Sequence, residues 1–190
     1  MKKAAFLDRD GVINRKAPEG HYVTRWEEME FFPGVHQAVR LLNQAGYFVV
    51  VVSNQRCVAK GLIKTSELES MHARMRHEFE VAGARIDAIY YCPHEVEPPC
   101  SCRKPEPGML LEASGEHQID LAESWMIGDS KRDVEAGKRA GCRTVQLMDD
   151  GKSAIDGPNA VASSLLDAVH KLLQIQWGFA ATNARLPQRF

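Results

Sequence analysis

Short apolar runs alternate along the chain with segments whose apolar residues recur at helical spacing. Strands are predicted at Ala4–Leu7, Tyr47–Val52, Ile86–Tyr91, Trp125–Ile127 and Thr144–Leu147, with a short sixth strand near Val161. Helices are predicted at Val35–Ala45, Thr65–Ala82, Gly108–His117, Ser130–Ala140 and Leu165–Ile175. Strands without polar alternation are typical of a sheet covered on both faces. The order of elements therefore predicts an α/β fold with a Rossmann-like, doubly wound parallel sheet.

The chain length of 190 residues fits one domain with a full core. We expect that domain to span residues 1–176, followed by a C-terminal tail at 177–190. The tail carries Trp177, Phe179 and Phe190, a composition compatible with packing on the core, with a dimer contact or with fraying. The roughly forty residues between the first two predicted strands hold only one loop and one helix, and the insertion after the third strand is short, so no large cap domain is expected over the sheet.

The charges of the chain nearly balance. Lys and Arg together number 24 and Asp and Glu 25, which gives a net charge of −1 and no positive field to hold nucleic acid. The longest strongly apolar run, Tyr47–Val52, is too short to cross a bilayer, and the N-terminus lacks the apolar stretch of a signal peptide. We therefore expect a cytoplasmic protein, monomeric or weakly homo-oligomeric, with no membrane or nucleic-acid partner.

Polar residues follow three of the predicted strands, and a basic segment lies between the third and fourth. Each motif alone is more typical of a turn, a helix cap or a solvated surface group. In a parallel sheet, however, ligands bind beyond the carboxyl ends of the strands, so together these groups predict one site. Its candidate residues are Asp8, Asp10, Ser53, Asn54, Lys104, Asp129 and Asp133.

The chemistry that such a set supports is phosphoryl transfer. Crowded carboxylates repel one another and stay ionised only beside a cation, and their hard oxygens suit Mg²⁺. One carboxylate can attack phosphorus, and a second can protonate the leaving oxygen and then activate water. Lys104 would neutralise phosphate oxygens, while Ser53 would orient them. A small phosphorylated metabolite is therefore the expected substrate.

Five cysteines are present, and three of them cluster beside a histidine. Cys92, His94, Cys100 and Cys102 offer three thiols and one imidazole, which match a tetrahedral Zn²⁺ site with no open position. The alternative is a loop with free cysteines. A zinc ion here would be structural and would fix Arg103–Lys104, which follow immediately. Cys57 and Cys142 are not needed as ligands.

The motifs Asp8–Gly11, Ser53–Asn54, Lys104 and Gly128–Asp129 with Asp133 resemble the four motifs of the haloacid dehalogenase (HAD) superfamily, over roughly Lys3 to Leu173. The resemblance implies that Asp8 is the nucleophile and Asp10 the general acid and base. It also implies that Mg²⁺ is held by Asp8, Asp129 and the backbone carbonyl of Asp10. Asp133 would support this metal site.

The cysteine loop narrows the resemblance to the zinc-loop branch of the superfamily, which contains heptose-bisphosphate phosphatases and histidinol phosphatases. Pro107–Leu111, Ala59–Gly61 and Tyr22–Val23 resemble the heptose enzymes. They imply hydrolysis of the 7-phosphate of D-glycero-D-manno-heptose 1,7-bisphosphate in heptose nucleotide biosynthesis. Histidinol phosphate or another small sugar phosphate is the alternative. A non-catalytic, zinc-stabilised interaction module is a distant one, disfavoured because every catalytic motif is present.

Three positions depart from the pattern of these relatives. Arg56 and Cys57 stand where a small residue and Gly are usual, and Cys tolerates some glycine conformations poorly. Ser130 stands where the heptose enzymes carry Lys, and a shift to Lys131 would turn the side chain by about 100° on a helix. Arg103 is expected either to bind a distal phosphate or to pair with a glutamate of the cysteine loop.

Overall fold

The computed structural model describes residues 1–148 and 157–183, with side chains through residue 174. Its centre is a six-stranded sheet in the order β3-β2-β1-β4-β5-β6, and every neighbouring pair is parallel. The strands are β1 (Ala4–Leu7), β2 (Phe48–Asn54), β3 (Ala88–Cys92), β4 (Trp125–Gly128), β5 (Arg143–Leu147) and β6 (Ala160–Ala162). The predicted α/β architecture, including the short sixth strand, is confirmed.

Five helices connect or follow the strands. They are α1 (Val35–Gln44), α2 (Thr65–Val81), α3 (Gly108–His117), α4 (Lys131–Ala140) and α5 (Leu165–Asn183). The first four begin and end within a residue of the predicted bounds. The predicted end of the last helix at Ile175 is wrong, because α5 continues to Asn183. The predictions for Trp177 and Phe179 concern side chains outside the described set, and Phe190 lies outside the described residues.

Alternation along the strands sends side chains to two cores. On β1, Ala5 and Leu7 face one cluster, whereas Ala4 and Phe6 face the other. The first cluster is completed by apolar residues of α1, α5 and the second half of α2. The second is completed by α3 and α4. Because both faces are covered, β1 and β4 are apolar throughout, and the polar residues of β2 stand at its end. β5 is the exception, since Thr144 and Gln146 are buried within it.

The connections described at the carboxyl edge are irregular loops that form no domain of their own. Between β1 and β2 the chain forms a loop with a 3-10 turn at Trp26–Glu28, followed by α1. Between β3 and α3 lies an irregular loop at 93–107. The first of these loops packs on the start of α2 through a third apolar cluster, which includes Val23, Leu68 and Met71. The sheet edge therefore carries loops in these connections and no large cap domain. Across the described residues, we find no helix with the length and apolarity needed to cross a membrane.

Candidate active site

Asp8 and Lys104 form the centre of the cleft at the carboxyl edge of the sheet. Asp8 follows β1 and is 9% exposed, and Lys104 is 2% exposed. The Lys104 Nζ lies 2.9 Å from Oδ1 of Asp8 and 2.6 Å from Oδ1 of Asp133. It also donates a hydrogen bond to the Val52 carbonyl at 2.8 Å. A buried ammonium group therefore neutralises two buried carboxylates from different elements.

The charges of this centre depend on one another. Burial, together with repulsion from Asp133 and Asp10, raises the pKa of Asp8 to about 7, and Lys104 opposes that rise. Burial alone would lower the pKa of Lys104, but its two carboxylate partners hold that pKa above its usual value. Lys104 therefore remains an ammonium at neutral pH, and Asp8 gains from any further positive charge in the cleft.

Asp129 and Asp133 lie on the turn from β4 into α4. The backbone N–H of Ser130 donates to Oδ2 of Asp133 at 3.0 Å, and its hydroxyl donates to the same oxygen at 2.5 Å. Gly128 permits this turn, because a Cβ at that position would overlap the Asp133 side chain. Although burial disfavours a charged carboxylate, Lys104 and Ser130 hold the pKa of Asp133 below its usual value.

The acidic residues at this edge fit a divalent cation. One carboxylate oxygen from each of Asp8, Asp129 and Asp133 lies within 4.8 Å of the others. The buried Oδ1 of Asp129 has no hydrogen-bond partner in the described structure. Burial also raises the pKa of Asp129, a rise that Lys16 opposes. An unpaired buried oxygen beside two further carboxylates is a donor set suited to Mg²⁺.

Asp10 is held by a different set of partners. Its Oδ1 accepts hydrogen bonds from Asn14 Nδ2 at 2.9 Å and from Arg9 Nη2 at 3.1 Å. Its Oδ2 accepts one from Gln55 Nε2 at 2.9 Å. Burial would raise the pKa of Asp10, but Arg9, Asn14 and Gln55 together hold it below its usual value. Asp10 is thus an oriented carboxylate, 26% exposed, at the mouth of the site.

Ser53 and Asn54 are the last two residues of β2 and lie on the opposite side of the cleft. The Ser53 hydroxyl accepts a hydrogen bond from Gln55 Nε2 at 2.7 Å. The Asn54 side chain bonds to the backbone of Lys104 at both ends, at 3.0 Å each. The enclosed space is about 100 Å³ and is lined by Asp8, Asp10, Lys16, Ser53, Asn54, Lys104, Ser130, Arg132 and Asp133. Six of the seven predicted residues thus line one small cleft, and Asp129 adjoins it.

The four predicted zinc ligands also converge. Cys100 Sγ lies 3.5 Å from the sulfur atoms of both Cys92 and Cys102. His94 Nδ1 lies 3.6 Å from Cys92 Sγ and 3.2 Å from Cys102 Sγ. Sulfur atoms bound to one zinc ion at about 2.3 Å would lie about 3.8 Å apart, close to these separations. Three thiols and an imidazole nitrogen within 4.8 Å of one another therefore fit tetrahedral Zn²⁺.

The residues that depart from the relatives take ordinary structural positions. Cys57 is fully buried and avoids a left-handed conformation, because Gln118 is the sole non-glycine residue with positive φ among those described. Arg56 forms an ion pair with Glu95 of the cysteine loop. Arg103 donates to the His94 carbonyl at 3.4 Å. Glu95, one of the loop glutamates that could have paired with Arg103, is thus the partner of Arg56.

Sequence reasoning missed the group that supplies positive charge beside Asp129. Lys131 is 70% exposed and lies 3.6 Å from Glu135, so it does not replace the absent lysine. Instead Lys16, from the loop after β1, places its Nζ 2.5 Å from Oδ2 of Asp129. The close approach of this loop requires Gly11, whose φ is 96° and where a Cβ would overlap Asp129. The sequence offers Lys16 only as one basic residue in a polar loop.

Arg9, Asn14 and Gln55 are further contacts that the motif pattern left unassigned. Alternation along β1 predicts that the Arg9 side chain points away from the site. Nothing in the sequence indicates that this side chain contacts Asp10. The guanidinium nevertheless turns back to Asp10. Asn14 and Gln55 adjoin recognised motifs, and their amides meet Asp10 through loop geometry.

Comparison with known proteins gives a consistent set of relatives. A family model described as HAD-hydrolase-like matches residues 101–168. The D-glycero-beta-D-manno-heptose-1,7-bisphosphate 7-phosphatase of Rhodopseudomonas palustris is 44% identical over 147 residues, which cover 74% of this chain and 80% of that protein. The protein of the same name from Vibrio cholerae is 38% identical over 186 residues, covering 92% of this chain and 98% of that protein.

A solved structure extends the similarity to the fold. The D,D-heptose 1,7-bisphosphate phosphatase from B. bronchiseptica, complexed with magnesium and phosphate, is 34% identical to this chain with a TM-score of 0.82. The match covers 91% of this chain and 99% of the other. The HAD-like fold expected from the four motifs is therefore confirmed.

Proposed function

Because this chain belongs to the HAD-like hydrolases, in the family of the heptose-bisphosphate phosphatases, we propose that it removes the 7-phosphate of D-glycero-D-manno-heptose 1,7-bisphosphate. The observation that carries the proposal is the Asp8–Lys104–Asp133 centre beside Asp129, at the edge of a parallel sheet. We propose further that the reaction serves heptose nucleotide biosynthesis in the cytoplasm. The catalytic residues lie within the proposed domain at 1–176, with 177–190 as a tail.

The first step forms a phosphoenzyme on Asp8. A carboxylate oxygen of Asp8 attacks phosphorus, and the bond between phosphorus and the sugar oxygen breaks. Asp10 reacts here in its protonated form and donates that proton to the leaving oxygen, so the sugar departs as an alcohol. Arg9, Asn14 and Gln55 stabilise the carboxylate that results. Lys104 and the Ser53 hydroxyl stabilise the phosphoryl oxygens, and Lys104 keeps Asp8 oriented through the 2.9 Å contact.

The second step returns Asp8 to its starting state. Asp10, now a carboxylate, takes a proton from a water molecule as the water oxygen attacks phosphorus. The bond between phosphorus and the Asp8 oxygen breaks, and inorganic phosphate leaves. The hydrogen bonds from Asn14, Gln55 and Arg9 keep the Asp10 carboxylate at the cleft mouth for both transfers.

Magnesium would be held by Asp8, Asp129 and the backbone carbonyl of Asp10, with Asp133 in support. The buried, unpaired Oδ1 of Asp129 favours this assignment. When bound, Mg²⁺ supplies positive charge that offsets the repulsion between the Asp8 carboxylate and an anionic phosphate. In the protein without a metal ion, burial and the neighbouring carboxylates raise the pKa of Asp8 to about 7, so added positive charge would stabilise its carboxylate.

Zinc would be held by Cys92, His94, Cys100 and Cys102 in a closed, structural site. The loop that it would fix contains Lys104, only two residues after Cys102. Gln55 and Asn54 tie the same loop to β2, through a bond from the Gln55 N–H to the Cys92 carbonyl at 2.8 Å and the bonds from Asn54 to Lys104. The proposed role of zinc is therefore to position Lys104 and Arg103.

The substrate must be selected by loops, because no large cap covers the described site. Arg103 is partly exposed and is the proposed ligand of the distal phosphate. Lys16 and Arg132, which line the cleft, add positive charge at its mouth. This arrangement favours a small sugar bisphosphate and requires neither nucleic acid nor a membrane as partner. We propose a monomer or a weak homo-oligomer.

The test compares phosphate release from heptose 1,7-bisphosphate, histidinol phosphate and several sugar monophosphates in the presence of Mg²⁺. We expect kcat/KM for the heptose bisphosphate to exceed the others by about 100-fold, which is about 2.7 kcal/mol of transition-state discrimination. A preference for histidinol phosphate or a flat profile would overturn the substrate assignment. Asp8→Asn is expected to lose turnover, and unchanged turnover in that variant would overturn the nucleophile assignment.

A further inference from the structure

A buried polar chain runs behind Asp10, away from the cleft. Arg9 is 1% exposed and is the largest fully buried side chain among the described residues. His72, on α2, is 5% exposed and lies on the far side of the Arg9 guanidinium. A charged guanidinium this deeply buried requires partners for its N–H groups, since an unpaired one is costly.

Arg9 divides its donors between two partners. Its Nη2 lies 3.1 Å from Oδ1 and 3.0 Å from Oδ2 of Asp10, and its Nε lies 3.3 Å from Oδ1. Its Nη1 lies 3.1 Å from Nε2 of His72. The planar guanidinium is thus fixed at two sides, by the Asp10 carboxylate and by the imidazole ring.

The charge state of His72 determines which atom donates. Burial and the neighbouring Arg9 lower the pKa of His72 to about 3, although Asp10 opposes this shift. The ring is therefore neutral at physiological pH, with Nε2 free to accept the hydrogen bond from Arg9. Tyr91 packs edge-on against the ring with centroids 5.5 Å apart, which further fixes its plane.

We propose that His72 is a positioning residue for the reaction, because it holds the Arg9 guanidinium that orients the Asp10 carboxylate. The inference rests on the proposed role of Asp10 as general acid and base. Without an acceptor at position 72, the Nη1 group loses its buried partner and the guanidinium must shift toward another one. Asp10 would then move relative to the leaving oxygen, while Asp8 and Lys104 would keep their own contacts.

A misplaced general acid has a specific kinetic signature. A sugar alkoxide needs a proton in order to leave, whereas the nitrophenolate of p-nitrophenyl phosphate leaves well without one. A variant that displaces Asp10 should therefore lose more kcat/KM, which reports the steps up to formation of the phosphoenzyme, on the sugar substrate than on p-nitrophenyl phosphate. Hydrolysis of the phosphoenzyme, where Asp10 acts as base, is common to both substrates and does not enter this ratio. A variant that merely loosens the fold should lose activity on both in the same proportion.

The experiment compares His72→Leu with His72→Gln, whose amide oxygen accepts a hydrogen bond from Arg9. On heptose 1,7-bisphosphate we expect His72→Leu to lower kcat/KM by about 30-fold, the scale of a misplaced catalytic group. On p-nitrophenyl phosphate its kcat/KM should stay within about threefold of the wild type, because that leaving group needs no general acid. His72→Gln should recover most of the lost kcat/KM.

The matched control is Phe79→Leu, which shortens a buried side chain on the same helix, two turns beyond His72 and in the first apolar cluster. It should lower thermal stability without changing the ratio of the two substrates. Asp10→Asn separates the two assumptions. If Asp10→Asn lowers kcat/KM equally on both substrates, the role of Asp10 as general acid and the inference both fail. If Asp10→Asn is selective and His72→Leu is not, or if Gln fails to restore activity, the inference alone is overturned.

Discussion

Asn54 and Lys104 exchange two hydrogen bonds across 50 positions of the chain. The Asn54 amide nitrogen donates to the Lys104 carbonyl at 3.0 Å, and the Lys104 backbone N–H donates to Oδ1 of Asn54 at 3.0 Å. The pair joins the end of β2 to the segment that follows the cysteine cluster. Because the Lys104 ammonium lies between Asp8 and Asp133, this backbone attachment determines where the positive charge sits.

Asn54→Ala is therefore expected to lower kcat by about tenfold or more, since two backbone groups lose their partner and Lys104 is free to shift. Phosphate-release kinetics measure the effect. The control is Asn43→Ala, because Asn43 makes the same reciprocal pair with the backbone of Arg85, away from the site. Equal activity of the two variants would show that Asn54 does not position Lys104.

The cysteine cluster is expected to contain about one Zn²⁺ per chain, measurable by elemental analysis. Cys102→Ser should lose the metal, lower the melting temperature and reduce kcat, because Lys104 follows two residues later. Cys142→Ala, which alters a buried cysteine outside the cluster, should retain zinc. Full zinc content in Cys102→Ser would contradict the ligand assignment.

We expect Lys16 to compete with a cation for Asp129. Its Nζ lies 2.5 Å from the carboxylate, and its side chain is 49% exposed. Lys16→Met should therefore lower the Mg²⁺ concentration for half-maximal activity by about threefold, the scale of a partly exposed ion pair. Lys131→Met removes an exposed lysine that faces Glu135 and serves as the control. A higher Mg²⁺ requirement in Lys16→Met would refute the competition.

Arg103 is expected to distinguish a bisphosphate from a monophosphate. Arg103→Ala should raise KM for heptose 1,7-bisphosphate by about tenfold, because a charge-assisted bond to the second phosphate is lost. KM for heptose 7-phosphate, which lacks that group, should change little. Steady-state kinetics on the two substrates provide the measurement, and equal rises in KM would assign Arg103 to the reacting phosphate instead.

The buried, neutral state of His72 predicts a pH dependence of stability. Its folded pKa of about 3 lies below the ordinary value of 6.5, so in that interval the unfolded chain binds a proton that the folded chain does not. The stability linked to His72 is complete above pH 6.5 and is lost as pH falls toward 3. Denaturant unfolding should show the free-energy difference between wild type and His72→Gln shrinking from pH 7 to pH 5. The control is His77→Gln, an exposed change on the same helix, and an equal trend there would contradict the assignment.

Local patterns were enough to predict the sheet and most of the candidate site. Asp8, Ser53 and Asp129 come just after predicted strands. Because parallel strands all end at the same edge of a sheet, these residues are expected to lie close together. The spacing of Cys100 and Cys102 likewise predicts convergence, because ligands one residue apart in a loop lie within reach of one ion. These inferences depend on chain order and strand direction, which the sequence encodes locally.

The tertiary structure decided the contacts that depend on side-chain direction across loops. It assigned Lys16 rather than Lys131 to Asp129, because a flexible side chain on a glycine-permitted turn reaches farther than one on the outer face of α4. It also turned Arg9 between Asp10 and His72, a contact between residues 63 positions apart. The sequence by itself determined which polar groups stand at the strand ends. Only packing decided which partners hold them, since those distances follow from how helices and loops lie over the sheet.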